Sequence, residues 1–306
     1  MAGAKQRHGK KNNKATTIAA TEVSTPKKTT SKTIKINPES IQGSDDMGNF
    51  YACHAELMAK QDASKEDWYA ANQLWWDSGG YGGKTDDESM IGDTGGEKDG
   101  EEGLAFLDRL LLQHGEDDHH PGKGRKKNGP ATTTMAMDCG AGVGRITKLV
   151  LLKRFDSVQL VEANANLSTR SKVYLGRKRA AKCHFTCANL QDMGPQHFEE
   201  NSASGIDLIW VQWTLQYLTD ADVIYALKTL GSGLSPTGGY LVVKENRPYG
   251  NARSDRFQMD TPQGEHGRYD ITRSDAHHRL LFEKAGLRVH MMEQGDETNT
   301  YALTVL

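Results

Sequence analysis

The sequence predicts an α/β protein built on a mainly parallel sheet covered on both faces. Three observations predict it. After Pro130, strand-like and helix-like hydrophobic patterns alternate. A glycine-rich turn joins the first of those strands to the first helix, and two strand patterns close the chain with no helix between them. Alternation of this kind belongs to parallel sheets with helices on both sides, and the closing pair predicts an antiparallel hairpin at one edge.

The elements follow in order. TTTMAMDCG is a buried strand ending in a glycine turn, and RITKLVLLKRF reads as a helix. SVQLVEAN is the second strand, STRSKVYLGRKR a helix, and KCHFTCANL the third strand. IDLIWVQW is the fourth, followed by the helix DADVIYALKTLGSGL, which Pro236 and Gly238 stop. GGYLVVKEN is the fifth strand, RSDAHHRLLFEKAGL a helix ended by Gly286, and LRVHMMEQ and YALTVL are the terminal strands.

Upstream, the organisation divides at residues 46 and 130. Residues 1–46 are rich in Lys, Ser and Thr and poor in large apolar side chains, so burial cannot offset the entropy of ordering them. An unstructured basic tail is expected there. Its start, KQRHGKKNNK, fits a solvated tail, a nuclear signal or a nucleic-acid tether. Over 47–130 the expectation is a helical extension with flexible loops. Two helices are predicted over 49–76 and another around GLAFLDRLLLQH, with the Gly- and Asp-rich stretch SGGYGGKTDDESMIGDTGGEKDGEEG between them as a loop. Residues 131–306 form the α/β domain.

Composition narrows the function classes. The chain has 306 residues, 36% of them hydrophobic, and a formal net charge of -2. That charge exerts no global pull on nucleic acid or anionic membranes. No apolar run approaches the roughly 20 residues of a membrane span, and the first residues lack the apolar core of a secretory signal. A cytoplasmic or nuclear location is expected, with Cys53, Cys139, Cys183 and Cys187 as free thiols. Neither Cys183 with Cys187 nor His119 with His120 has a second ligand pair at metal-site spacing, so no metal is expected.

The sharpest motif is Asp138-Cys139-Gly140-Ala141-Gly142-Val143-Gly144-Arg145 at a strand-to-helix junction. Glycine there lets the backbone approach a ligand closely, and helix N–H groups point outward. Glu162 closes the next strand at the remove expected of an acid that grips ribose hydroxyls. In a dinucleotide fingerprint the third glycine would fall on Arg145, a poor place for a bulky cation. G-x-G-x-G after an acid is instead the form that holds S-adenosylmethionine, and the arginine suits a cofactor with a carboxylate tail. Leu190 and Gln191 end the third strand where an adenine ring would be met, and Gln212 and Trp213 end the fourth.

DCGAGVGRITK, LVEAN, ANLQD, IWVQW, LTD and LVVKEN, in this order and spacing, resemble the α-N-terminal protein methyltransferases from about residue 68 to the C-terminus. The resemblance implies a Rossmann-like seven-stranded methyltransferase fold with an N-terminal helical extension over the active site. The activity implied is methylation of the exposed α-amine of proteins beginning Xaa-Pro-Lys, so the partners are protein substrates with free N-termini. It further implies cofactor contacts from Gly140, Arg145, Glu162, Ala163, Asn164, Leu190, Gln191 and Gln212. Trp213 and one of Trp75 or Trp76, Trp76 matching better, would wall the first peptide residues, and Asp255 would help receive the substrate lysine. Asn246 would hold the amine or the first carbonyl. Asp260 would be the catalytic aspartate, with Asp270 as a rival because an insertion precedes it.

One departure bears on chemistry. Where the family has a catalytic histidine, this chain has Tyr217, whose usual pKa of about 10 makes it a poorer proton acceptor at neutral pH. Thr298 and Asn299 also stand where the family tends to place an aromatic peptide contact. These differences keep two other readings open: a methyltransferase of other specificity, and a cofactor-binding protein with little catalysis.

Overall fold

A computed structural model describes residues 35–82, 85–91, 96–113, 134–198, 205–249, 255–264 and 267–306. His119 and His120, and most of the basic tail, lie outside them.

The α/β expectation holds in detail. The large sheet contains β3 (Met135–Cys139), β4 (Ser157–Glu162), β5 (Cys183–Cys187), β6 (Leu208–Gln212), β7 (Tyr240–Asn246), β10 (Leu287–Gln294) and β11 (Thr298–Val305), in the order β10-β11-β7-β6-β3-β4-β5. Strands β3 to β7 run parallel, whereas β11 pairs antiparallel with both β7 and β10, giving the edge hairpin read from the sequence. The central strands β3 and β6 are buried at every position, as near-continuous apolar runs in a two-sided sheet should be. One core lies under α7 (Asp220–Ser232) and α8 (Asp275–Lys284), where Val211, Val223, Leu227, Leu241 and Leu281 meet. The other, with Phe106, Leu151, Leu160, Trp210 and Val242, fills the opposite face.

Three segments depart from expectation. RITKLVLLKRF is not one helix: α5 (Arg145–Leu149) ends at Val150, whose backbone leaves helical geometry before a 3-10 turn over Leu151–Lys153. Val150 and Leu151 are both fully buried, and the break lets this short segment cover the core. The boundary at 46 falls inside ordered chain. Ile41 is fully buried beside β1 (Gln42–Asp45), which pairs antiparallel with β2 (Phe50–Tyr51) and parallel with β8 (Arg256–Asp260). With β9 (Asp270–Thr272) these strands make a second sheet, β2-β1-β8-β9, around Phe257, Met259, Trp68 and Leu57. The polar residues about Ile41 hid this strand, because its order comes from one buried side chain and a distant partner.

The stretch read as a loop is also partly helical, with α3 (Asp86–Ile91) and the start of α4 (Gly96–Gln113) inside it. Two of its glycines on α4 are there for contact. A Cβ on Gly100 would come within 2.8 Å of Leu149 Cδ1, and one on Gly103 within 3.3 Å of Val150 Cγ2. Tertiary packing thus overrides a poor intrinsic propensity. The helices expected over 49–76 are α1 (His54–Ala63) and α2 (Lys65–Asp77).

Candidate active site

A cavity of about 500 Å³ opens where the sheet order reverses, at the carboxyl ends of β3, β4 and β6. Open α/β sheets bind ligands at such a crevice, and the volume lies within the roughly 300–1,000 Å³ of small-molecule sites.

The glycine turn forms its floor. Gly140, Gly142 and Gly144 all take positive φ, and a Cβ at Gly140 would sit 2.1 Å from Thr214 Oγ1. At Gly142 it would meet Met90 Sδ at 2.7 Å, so α3 closes over the turn with no room for a side chain. Asp138 fixes the turn from beneath, accepting from the Thr147 amide (3.0 Å) and hydroxyl (2.6 Å). Burial pushes the Asp138 pKa up to about 6. Glu162 accepts from the Gly142 amide at 2.7 Å and the Asn164 amide at 2.9 Å. Burial raises its pKa above the usual range against the pull of these bonds. Asn164 caps α6 (Ala165–Ala180) through its side-chain oxygen and donates to Asp77 Oδ1 at 2.8 Å, joining the extension to the domain.

All eight residues expected to contact the cofactor line this one cavity: Gly140, Arg145, Glu162, Ala163, Asn164, Leu190, Gln191 and Gln212. Trp76, Trp213 and Tyr217 line it too. A glycine floor no Cβ could share, the half-buried Glu162 carboxylate and the Arg145 guanidinium fit S-adenosylmethionine, whose ends are a ribosyl adenine and an amino acid.

Sequence reasoning missed what holds Arg145 and Gln212. Asp99, on α4, accepts from Arg145 Nη1 at 2.5 Å, Lys244 Nζ at 2.5 Å and Gln212 Nε2 at 2.9 and 3.0 Å. Burial pushes the Asp99 pKa up, but Arg145 and Lys244 outweigh it and hold the carboxyl below its ordinary value. The Gln212 Oε1 accepts from Trp210 Nε1 at 3.0 Å, so that amide is fully engaged. Lys244, following the apolar run Tyr240–Val243 of its strand, was the one available signal; Asp99 had none, being in a stretch that reads as loop.

The acceptor side is aromatic. Trp213 follows β6 at φ 51, the one positive φ outside glycine among the described residues. That conformation costs on the order of 1–3 kcal/mol in a non-glycine residue. It places the ring over Arg145 and Lys244, at 5.4 and 6.0 Å, and leaves Nε1 buried without a partner. Tyr217 is held by its backbone, its carbonyl accepting from Trp68 Nε1 at 2.7 Å and Asn72 Nδ2 at 3.1 Å. Its ring lies 5.6 Å from Trp76 and 6.2 Å from Trp75, and its hydroxyl 3.4 Å from that of Tyr81. Burial, then the charges around it, push its pKa well above 10, so Tyr217 is a neutral wall and no base. Between the two tryptophans, Trp76 borders the cavity while Trp75 is nearly buried behind it.

The turn carrying Tyr217 is braced from below by a charge hub. Arg273, fully buried, donates to the carbonyls of Leu215 (2.8 Å) and Leu218 (2.7 Å) and to Asp220 Oδ1 (2.9 and 2.7 Å). Asp220 Oδ2 meets His54 Nε2 at 2.8 Å and His277 Nε2 at 2.6 Å. Among the described residues these three alone cluster closely enough to reach one ion. The guanidinium already occupies the carboxylate, and that charge opposes a second cation.

The polar acceptor-side residues are less gathered. Asp260 and Asp270 stand opposite each other in the β8–β9 ladder, so the two rivals share one face. Asp260 is exposed, while Asp270 is buried and burial pushes its pKa up to about 6. Neither lines the cavity. Asn246, also outside its wall, donates to Gln216 Oε1 at 3.1 Å. Asp255 is exposed just before β8 and does not line the cavity either.

Known proteins resemble this chain in sequence and in fold. Residues 112–303 match the family described as AdoMet dependent proline di-methyltransferase. The N-terminal Xaa-Pro-Lys N-methyltransferase 1 of Danio rerio is 39% identical over 128 residues, 42% of this chain and 53% of that protein. Alpha N-terminal protein methyltransferase 1 of Arabidopsis thaliana is 29% identical over 273 residues, 82% of this chain and 84% of that one. The match thus spans about half the length of the vertebrate relatives and most of the plant one. A SAM-dependent methyltransferase structure from Leishmania major superposes with a TM-score of 0.64 at 28% identity, over 86% of this chain and 96% of that one.

Proposed function

The chain belongs to the AdoMet-dependent proline di-methyltransferase family, and from that premise we propose that it methylates the α-amino group of proteins with an exposed N-terminal Xaa-Pro-Lys sequence. One observation carries the proposal: a single cavity is lined both by the glycine turn and Glu162 and by the aromatic rings of Trp76, Trp213 and Tyr217. S-adenosylmethionine, when bound, supplies an electrophilic methyl group for direct displacement by an amine.

Each residue then has a task. Glu162 offers its carboxylate oxygens to ribose hydroxyls, and Leu190 and Gln191 meet the adenine. Arg145, held by Asp99, turns its remaining N–H groups to the amino-acid end. The aromatic walls confine the peptide's first residues, and such positioning is worth several powers of ten in rate. The amine must shed its proton before it attacks, from a pKa of about 7.7–8.0 in the free peptide. Tyr217 cannot accept it. Asp270, which stands opposite Asp260 and whose pKa burial pushes up to about 6, nearer that of the amine than an ordinary carboxylate's, takes the proton on a carboxylate oxygen through water, since it does not line the cavity. Asp260, opposite it, adds negative charge that favours a cationic substrate. Asn246 orients the first carbonyl, and Asp255 extends the acidic approach for the substrate lysine.

The test is mass spectrometry of a Ser-Pro-Lys peptide incubated with protein and S-adenosylmethionine, beside its N-acetylated twin. Methyl-sized mass gains on the free peptide alone support the reading; gain on the acetylated peptide overturns it. We further propose a cytoplasmic or nuclear location, in keeping with the basic start KQRHGKKNNK, which imaging of a tagged full-length chain checks.

A further inference from the structure

Next to Tyr217, just outside the lining of the cofactor cavity, a guanidinium is lodged against aromatic rings. Arg268 Cζ lies 4.5 Å from the centre of the Trp75 ring and 5.3 Å from that of Tyr81. The two rings are 4.9 Å apart and perpendicular, so they form two sides of a box. Asp270 Oδ2 closes a third side, 3.3 Å from Arg268 Nη2. Tyr217, which lines the cavity, adjoins both rings, 6.2 Å from Trp75 and with its hydroxyl 3.4 Å from that of Tyr81.

The arginine is poorly hydrogen-bonded for its place. Its Nε is buried with no partner, and its contact with Asp270 is long for a charge-assisted bond. An arginine placed for structure uses its planar fork, as Arg273 does on two carbonyls and a carboxylate. Arg268 is held instead by ring faces and one negative charge. Those attractions need no donor geometry, and an alkylated ammonium receives them equally well. The side chain is 23% exposed, so it has a way out to solvent.

We propose that the box of Trp75, Tyr81, Tyr217 and Asp270 is a binding site for an alkylammonium group, and that Arg268 is its internal occupant, displaced when the amine of a substrate or methylated product enters. The proposal rests on the amine-methylating reading above and adds to it a built-in competitor. Arg268 returning to the box also favours release of the methylated product, whose charge is bound by the same faces.

The experiment is calorimetric titration of tetramethylammonium chloride into the full chain with S-adenosylhomocysteine present, for the natural protein, R268A and R268K. Loss of the competitor tightens ammonium binding in R268A by about 3- to 30-fold, the size of one or two cation–π contacts, and R268K, which keeps a cation, tightens less. Unchanged or weaker binding in a folded R268A overturns the proposal; if R268A does not fold, R268Q replaces it under the same criterion. The two readings fail separately. If the natural protein methylates no peptide, the N-terminal reading fails while the titration still decides the box. Unchanged ammonium affinity in an enzyme that does methylate peptides sinks the box alone.

Discussion

Replacing Asp99 with alanine tests whether the cofactor side is held together from α4. The carboxylate is the shared partner of Arg145 and Lys244, whose side chains are only 6% and 3% exposed. Removing it strands two buried cations. Lys244 keeps Glu102 at 3.7 Å, but that side chain is 56% exposed and contributes little. Breaking a buried pair by deleting one partner costs about 3–5 kcal/mol, and at a few degrees per kcal/mol for a chain of this size the melting temperature should fall by roughly 6–20 °C. Gln212 and Arg145 lose their anchor together, so affinity for S-adenosylmethionine should drop by more than about tenfold, or 1.4 kcal/mol. The pH dependence has a definite sign. The folded Asp99 pKa lies below its ordinary value, so its stabilisation is present above the unfolded pKa of about 3.9 and is lost as pH falls through the folded one. Denaturation followed by circular dichroism should therefore show D99A approaching the natural protein below about pH 4. A D99A protein within about 1 kcal/mol of the natural one at pH 7, with unchanged cofactor affinity by calorimetry, would refute the argument.

Four further outcomes are expected. In a pH profile of kcat/KM, activity should fall about tenfold per unit below pH ~6 as Asp270 protonates, and D270N should be slow with that limb absent; a natural enzyme with no such limb would remove Asp270 from proton transfer. Gly142→Ala should lose cofactor binding and about 1–3 kcal/mol of stability, since its Cβ would meet Met90 Sδ at 2.7 Å at φ 55; equilibrium dialysis and a melting curve check it. Tyr217→Phe should retain activity within about threefold, because the neutral hydroxyl is no base. Asp220→Ala should cost about 3–5 kcal/mol by leaving Arg273 buried without its carboxylate, and urea denaturation would expose a smaller loss.

The large sheet was legible because each central strand is an apolar run and each crossover carries a turn signal. The cofactor wall was legible because glycine spacing and strand-end acids are local in sequence. What escaped was made by distance. The α4 helix forms where glycines allow close approach to Leu149 and Val150. Asp99 matters only because Arg145 and Lys244 arrive from two other elements. Strand β1 has a single fully buried anchor beside it, Ile41, and its pairing partner lies near the other end of the chain. The rivalry between Asp260 and Asp270 could not be decided from spacing, since the hairpin brings both to one face.

That second sheet has a consequence for how the protein comes into being. On the ribosome, Gln42–Asp45 emerges long before Arg256–Asp260, and the two must lie side by side in parallel. Every intervening strand of the large sheet is delivered first, and so distant a pairing carries a large loop-closure cost. The pairing of β3 with β4 around the glycine turn is far more local in sequence, so its closure costs less than that of the ladder that carries Asp260 and Asp270. A nascent chain stalled before residue 256 has the glycine turn but neither Asp260 nor Asp270.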